Sequence, residues 1–229
     1  MCFLRSLLFT ILWFLWTILW GIGSCPLLFL PCSNKTILKV GKVWARVTLV
    51  ILKSICGITS NVVGISNIPK GPFIVAAKHQ SAWETIFFLI LFENPIFIIK
   101  RELTKIPIYG WYLEKMSMIP IDRSSGINSL KQIKAGVEDA IENNRTVIIF
   151  PEGTRVAPGK NVKLKSGIKF LHESFPNVPI VPVALNSGLY WVNKRITKRS
   201  GRITVKILPQ FNHKENFLEE LKKLLDSHL

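Results

Sequence analysis

Apolar residues run almost unbroken through the start of the chain and then give way to two different rhythms. Residues 6–32 carry no charge, and about 20 apolar residues in a helix suffice to cross a bilayer core. Trp13, Trp16 and Trp20 recur there at helical spacing, and aromatic side chains favour the membrane interface. Gly21, Gly23, Pro26 and Pro31 interrupt the second half, so the pattern fits either a tilted span or a shallow re-entrant hairpin. The stretch is too long for a cleaved signal peptide and lacks a small-x-small site after it. It reads as a retained anchor. The next rhythm is helical. Lys35, Lys39, Lys42, Arg46 and Lys53 fall along one face, with Ile37, Leu38, Val40, Val43, Trp44, Val47, Val50 and Ile51 between them. Such a helix either lies at anionic headgroups or packs on the main domain with its charges solvated. The apolar segment before it favours the membrane.

From about Asn61 short β-rich runs alternate with helical ones. The spacing predicts strands over 73–77, 96–99, 118–121, 146–150, 180–185 and 203–208. Helices are expected over 81–92, 108–115, 127–143, 166–174 and 216–225, the clearest carrying Ile127, Leu130, Ile133, Val137, Ala140 and Ile141 on one stripe. This alternation predicts an α/β fold, a mostly parallel central sheet flanked by helices, with an N-terminal hydrophobic and amphipathic helical membrane anchor. The expected division is 1–58 for the anchor and basic helix and 59–229 for the α/β domain.

Charge narrows the choice of partner. The 229 residues hold 30 Lys and Arg against 14 Asp and Glu, a net charge of +16. The first acidic residue is Glu84, so the eight basic residues before it stand unopposed. A chain this basic attracts nucleic acid, anionic lipid or phosphorylated substrates. No nucleic-acid-binding module or basic-aromatic face is apparent, so no nucleic acid is expected. Positive charge just after the apolar stretch marks the cytoplasmic side, which predicts the cytoplasmic (inner) membrane with the main domain facing the cytoplasm. Cys2, Cys25, Cys32 and Cys56 all lie early, so neither disulfides nor a cysteine zinc site hold the main domain together.

In parallel sheets ligands bind beyond the carboxyl ends of the strands. Lys78 and His79 follow the first expected strand, Lys100 and Arg101 the second, Asp122 and Arg123 the third, and Pro151-Glu152-Gly153-Thr154-Arg155 the fourth. These groups should share one rim. His79 and Glu84 make a base with an orienting carboxylate, and no G-x-S-x-G elbow supplies a nucleophile. The rival reading is a capping box, Ser81-x-x-Glu84, in which Glu84 only reaches back to the helix start. The Glu152-Gly153-Thr154-Arg155 loop is able to cradle an anion, with Lys165 adding a cation at the next helix start. Its rival is an ordinary turn with a solvated arginine. His172, His213 and His228 have no acid or cysteine at ligand spacing and are assigned to packing or surface. Lys194, Arg195, Lys198, Arg199 and Arg202 form a basic patch suited to headgroups, an acidic carrier protein or plain solvation.

The order of these pieces resembles the glycerophospholipid acyltransferases, most closely those acting on lysophosphatidic acid. The matching segments are His-x4-acid at 79–84, Ile119-Pro120-Ile121-Asp122-Arg123, Phe150-Pro151-Glu152-Gly153-Thr154-Arg155, and Ile180-Val181-Pro182-Val183-Ala184. Lys100-Arg101-Glu102-Leu103 through Trp111 is also similar. The resemblance implies that His79 is the general base on an acceptor hydroxyl and that Glu84, standing where the family usually has Asp, orients it. It implies that Arg123, Glu152, Gly153 and Arg155, with Thr154 and Lys165 beside them, bind the glycerol-phosphate part. The implied reaction acylates the 2-hydroxyl of 1-acyl-sn-glycerol-3-phosphate to phosphatidic acid. Implied partners are lysophosphatidic acid, acyl-CoA or acyl-carrier protein as co-substrate, and an anionic membrane surface; no metal and no cofactor is implied. Alternatives are another lysolipid acceptor or a non-catalytic membrane-tethered lipid-binding protein.

Overall fold

The computed structural model describes residues 2–122, 126–212 and 215–227. Two long helices come first. α1 (Cys2–Ser24) ends before the single turn α2 (Pro26–Phe29), where Pro26 and Pro31 remove the amide donors a longer helix needs. α3 (Asn34–Cys56) starts at Ser33, whose hydroxyl accepts from the Thr36 N–H, and stops at Gly57 (φ 67°). Only glycine takes that left-handed conformation without strain.

The α/β part follows as β1 (Ile58–Val63), β2 (Ile74–Ala77), α4 (Trp83–Leu91), β3 (Pro95–Lys100), α5 (Tyr109–Lys115), β4 (Ile119–Ile121), α6 (Ile127–Glu142) and β5 (Thr146–Ile149). It closes with α7 (Gly167–Ser174), β6 (Ile180–Leu185), β7 (Gly201–Ile207) and α8 (Phe217–Asp226). The strands form one seven-stranded sheet in the order β1-β7-β6-β2-β5-β3-β4. Every pairing is parallel except β6 with β7. Every residue of β2, β5 and β6 is buried, as a parallel strand covered on both faces requires. β7 alternates instead, with Ile203, Val205 and Ile207 inside and Arg202 outside.

The predicted strands and helices appear within a few residues of the expected bounds. The exception is β1, whose sequence Ile-Thr-Ser-Asn-Val-Val shows no alternation. It is a sheet-edge strand whose register comes from β7, with Ile58 opposite Gly201.

The expected boundary at residue 58 falls at the start of β1, and packing crosses it. Ile37, Leu38, Ala45 and Leu52 of α3 and Phe9 of α1 belong to the same buried cluster as the strands. The tryptophans of α1 also differ from expectation. Trp13 meets Trp191 edge-on at 5.7 Å, and the Trp16 indole donates to the Trp44 carbonyl. They face the protein, where that N–H finds an acceptor, and leave Leu, Ile and Phe outward. Lys42 likewise leaves the basic stripe, its ammonium donating to the Phe92 and Glu93 carbonyls at 2.9 and 2.5 Å.

If α3 is part of the folded core, fully buried Leu52 and outward Val50 should behave oppositely. Leu52→Ala is expected to cost about 2–5 kcal/mol and Val50→Ala under about 0.5 kcal/mol, read from urea midpoints in detergent. Equally small effects would detach the helix from the core.

Candidate functional site

β2 lies between β5 and β6, and all three run the same way, so their carboxyl ends open on one rim. His79 leaves β2 there, the loop 150–155 leaves β5, and Ser187 leaves β6. Sheet order brings together residues far apart in the chain.

His79 and Glu84 meet across the turn into α4. Imidazole Nδ1 lies 2.9 Å from Glu84 Oε1. The same oxygen accepts the backbone N–H groups of Gln80 (2.6 Å) and Ser81 (2.8 Å). The other, Oε2, has the hydroxyls of Ser81 and Ser187 at 2.9 and 2.7 Å. Trp83 N–H donates to the Ser81 hydroxyl, closing the turn. Glu84 therefore serves as cap and as orienter at once, and its length lets one carboxylate reach both the helix start and the ring.

Glu84 is fully buried. Burial by itself raises a carboxyl pKa, but the bonds from His79, Ser81 and Ser187 outweigh it and hold Glu84 below its ordinary value. An ionised carboxylate only accepts, so Nδ1 carries a proton, and in the neutral imidazole the lone pair is left on Nε2. The ring lies on Phe150 at 4.0 Å and 17°, which fixes its plane. Among the described contacts, Nε2 has no protein partner. The arrangement has the parts of a base with an orienting carboxylate, its Nε2 turned away from that carboxylate.

The loop 150–155 is tied directly to this residue. Glu152 Oε2 accepts the His79 backbone N–H at 2.9 Å, and Val156 N–H donates to the His79 carbonyl at 2.7 Å. Gly153 takes φ 69°, and a Cβ on it would meet Lys165 Cγ at 3.3 Å. The Lys165 stem thus lies across the glycine, held there by its N–H on the Pro151 carbonyl at 2.8 Å. Thr154 and Arg155 are exposed at the tip. Arg155 is within electrostatic reach of Tyr109, where desolvation raises the phenol pKa and the guanidinium acts against it. That brings the segment around 107–111 to the same opening.

Glu152 occupies a different place from the other members of its loop. It is buried and braces the His79 main chain, whereas Thr154, Arg155 and Lys165 lie outward. Burial pushes its carboxyl up to about 7, opposed by the His79 N–H and the Lys78 charge. Lys78 itself turns away to Asp226 of α8 at 2.5 Å. Arg123 lies outside the described residues, as do His213 and His228. His172 stacks on Phe217 at 4.8 Å, a packing role.

Sequence reasoning missed Ser187 and the role of Gln80, whose side-chain oxygen accepts the Gly188 N–H at 3.0 Å. The only signal was the Asn186-Ser187-Gly188 turn at a strand exit. Among the described residues no group of His, Cys, Asp and Glu is arranged to hold a metal ion.

Comparison with known proteins finds relatives of the whole fold. Residues 59–186 match the family model described as Acyltransferase. A Pseudomonas aeruginosa protein named 1-acyl-sn-glycerol-3-phosphate acyltransferase is 37% identical over 166 residues, 72% of this chain and 64% of that protein. A Saccharomyces cerevisiae protein of the same name is 30% identical over 62% of this chain and 48% of its own length. The chain thus spans less than two thirds of these relatives. The crystal structure of the 1-acyl-sn-glycerophosphate (LPA) acyltransferase PlsC from Thermotoga maritima superposes with a TM-score of 0.78 at 26% identity, covering 99% of this chain and 95% of that one.

Two outcomes test the site's internal logic. Ser187→Ala removes a donor from a buried charge and should cost about 1–3 kcal/mol of stability, with Ser187→Thr recovering part of it; a neutral result in urea unfolding would take Ser187 out of the network. Glu152 has its carboxyl raised to about 7 in the fold, against about 4.3 in an unfolded chain. Between those pH values the folded chain holds a proton the unfolded chain has released, so this group's contribution to stability falls as pH rises. Glu152→Gln should flatten that part of the urea midpoint against pH, and an unchanged slope would rule the residue out as its source.

Proposed function

This chain belongs to the acyltransferase family, and we propose that within it the chain moves a fatty acyl group from an acyl thioester to the free 2-hydroxyl of 1-acyl-sn-glycerol-3-phosphate. The product is phosphatidic acid, an intermediate of phospholipid biosynthesis. One observation carries the reading: Glu152 of the loop 150–155 and Val156 just after it bond the main chain of His79 from two sides. A base and a cationic loop are thereby fixed over one opening, as a phosphorylated hydroxyl acceptor requires. The relatives named for that acceptor support the choice.

The acceptor phosphate sits against Arg155 and Lys165, within reach of the Thr154 hydroxyl. Arg and Lys bind phosphate through charge-assisted hydrogen bonds. The acceptor hydroxyl then lies at His79 Nε2, which takes its proton as the oxygen attacks the thioester carbonyl. Glu84 steadies the imidazolium through Nδ1–H. The tetrahedral oxyanion collapses, the C–S bond breaks, and the thiolate leaves as His79 returns the proton. The donor is acyl-CoA or an acyl-carrier protein, and no acyl-enzyme intervenes.

The anchor fits the same reading. α1 is long and apolar enough to cross a membrane, yet the folded part holds it at both ends. Ser6 accepts from the Lys198 N–H near its start, and the Ser24 hydroxyl lies 2.5 Å from the Tyr112 hydroxyl at its finish. A helix pinned to the domain at two points about 27 Å apart lies in the interface with its outward face, Leu4, Leu8, Leu15 and Leu19 among it, in the acyl region. The chain is thus a cytoplasmic-membrane enzyme with its rim open to one monolayer, its basic residues setting the domain on the cytoplasmic face.

His79→Ala should lower kcat about 10²–10⁴-fold with vesicle binding and folding retained, assayed as phosphatidic acid formed from lysophosphatidic acid and acyl-CoA or acyl-carrier protein. Turnover at the normal rate by that variant would overturn the base assignment.

A further inference from the structure

A second feature lies off the catalytic rim, between α3 and α4. Arg46, Leu49, Val50 and Lys53 repeat at helical spacing along one wall, and Trp83, Phe87 and Ile90 along the other. Thr59 and Ser60 of β1 close the end. The space is about 450 Å³, within the usual range of small-molecule sites. Its two cations stand at either end of an apolar pair, and no acidic residue lines it. Among the described residues neither Arg46 nor Lys53 makes an ion pair. Both are exposed, whereas Lys42 on the same helix is tied to carbonyl oxygens. An apolar slot rimmed by free cations is complementary to one kind of molecule, an anion with a hydrocarbon tail.

We propose that this groove binds a single anionic phospholipid taken from the bilayer, its phosphate between Arg46 and Lys53 and one acyl chain against Leu49, Val50 and Ile90. The proposal leans on the membrane location given above but not on the catalytic assignment, because no groove residue touches His79. The slot also sits at the same end of the sheet as the rim. β1 runs parallel to β7, and β7 begins where antiparallel β6 ends, so a lipid held there borders the monolayer that the rim faces. A bilayer anion fits better than a soluble one because the outward apolar face of α1 keeps α3 beside headgroups.

The test uses the full chain in neutral detergent, titrated with phosphatidylglycerol, with bound lipid counted by native mass spectrometry. Wild-type protein should retain one phosphatidylglycerol at least ten-fold more tightly than phosphatidylcholine. Arg46→Ala with Lys53→Ala should weaken retention at least ten-fold. So should Val50→Glu, which puts a carboxylate between the cations at an exposed position and spares the core. Lys35→Ala with Lys39→Ala removes the same charge from the other end of α3 and should leave retention unchanged. The proposal fails if both double variants lose lipid equally, since that is general surface electrostatics. It fails equally if phosphatidylcholine is held as well, or if millimolar inorganic phosphate displaces the lipid. Failure with catalytic turnover intact overturns the groove alone, whereas loss of vesicle binding by wild-type protein overturns the membrane reading beneath it.

Discussion

A single buried carboxylate decides the geometry of the site. Glu84 has no contact with solvent, and an unpaired charge at such depth is strongly unfavourable. It is tolerated because donors arrive from three parts of the chain: the imidazole and amides of the β2 exit, the Ser81 hydroxyl at the start of α4, and Ser187 at the β6 exit. Each donor is placed by a different element, so the ring of His79 is correctly held only when β2 and β6 are neighbours and α4 begins where it does. Folding and the orientation of the His79 ring are the same event here. The Phe150 ring under the imidazole and the Glu152 carboxylate under its main chain extend this to β5.

Much of this could be read from residue patterns, and the parts that could not share a physical reason. Buried runs such as Ile180–Leu185 and the stripe through Ile133, Val137 and Ala140 announce their elements because burial acts on each residue locally. The four strand exits on one rim follow from parallel pairing alone. What sequence leaves open is which elements become neighbours. β1 has no periodicity and exists because β7 offers it an edge. Ser187 looks like any turn serine until β6 is set beside β2. Glu152 carries the same letters as a solvated loop acid, and only the approach of His79 N–H turns it inward.

The alternatives that the sequence left open resolve for the same reason. The capping box and the catalytic pair looked like competitors because each asked for the same carboxylate. A carboxylate has two oxygens and several lone pairs, and Glu84 uses both, so neither role displaces the other. The helix over 34–56 likewise does two jobs on two faces, with Leu52 and Ala45 in the core and Arg46 and Lys53 outside. The tryptophans of α1 turn inward to different partners: the Trp16 indole donates to the Trp44 carbonyl and Trp13 packs edge-on against Trp191, while the Trp13 and Trp20 indole N–H groups are buried without an acceptor among the described residues.

The fastening of α1 at Ser6 and again at Ser24 has a mechanical meaning. A transmembrane segment answers to bilayer thickness by tilting; a rod clamped at each end to a rigid body has no such freedom. If α1 lies in a bilayer as proposed, the height of the His79 rim above the acyl tails is built into the polypeptide, indifferent to whether the surrounding sheet of lipid is thick or thin. Under the proposed function, product lipid would then leave into the same half of the bilayer that supplied its precursor.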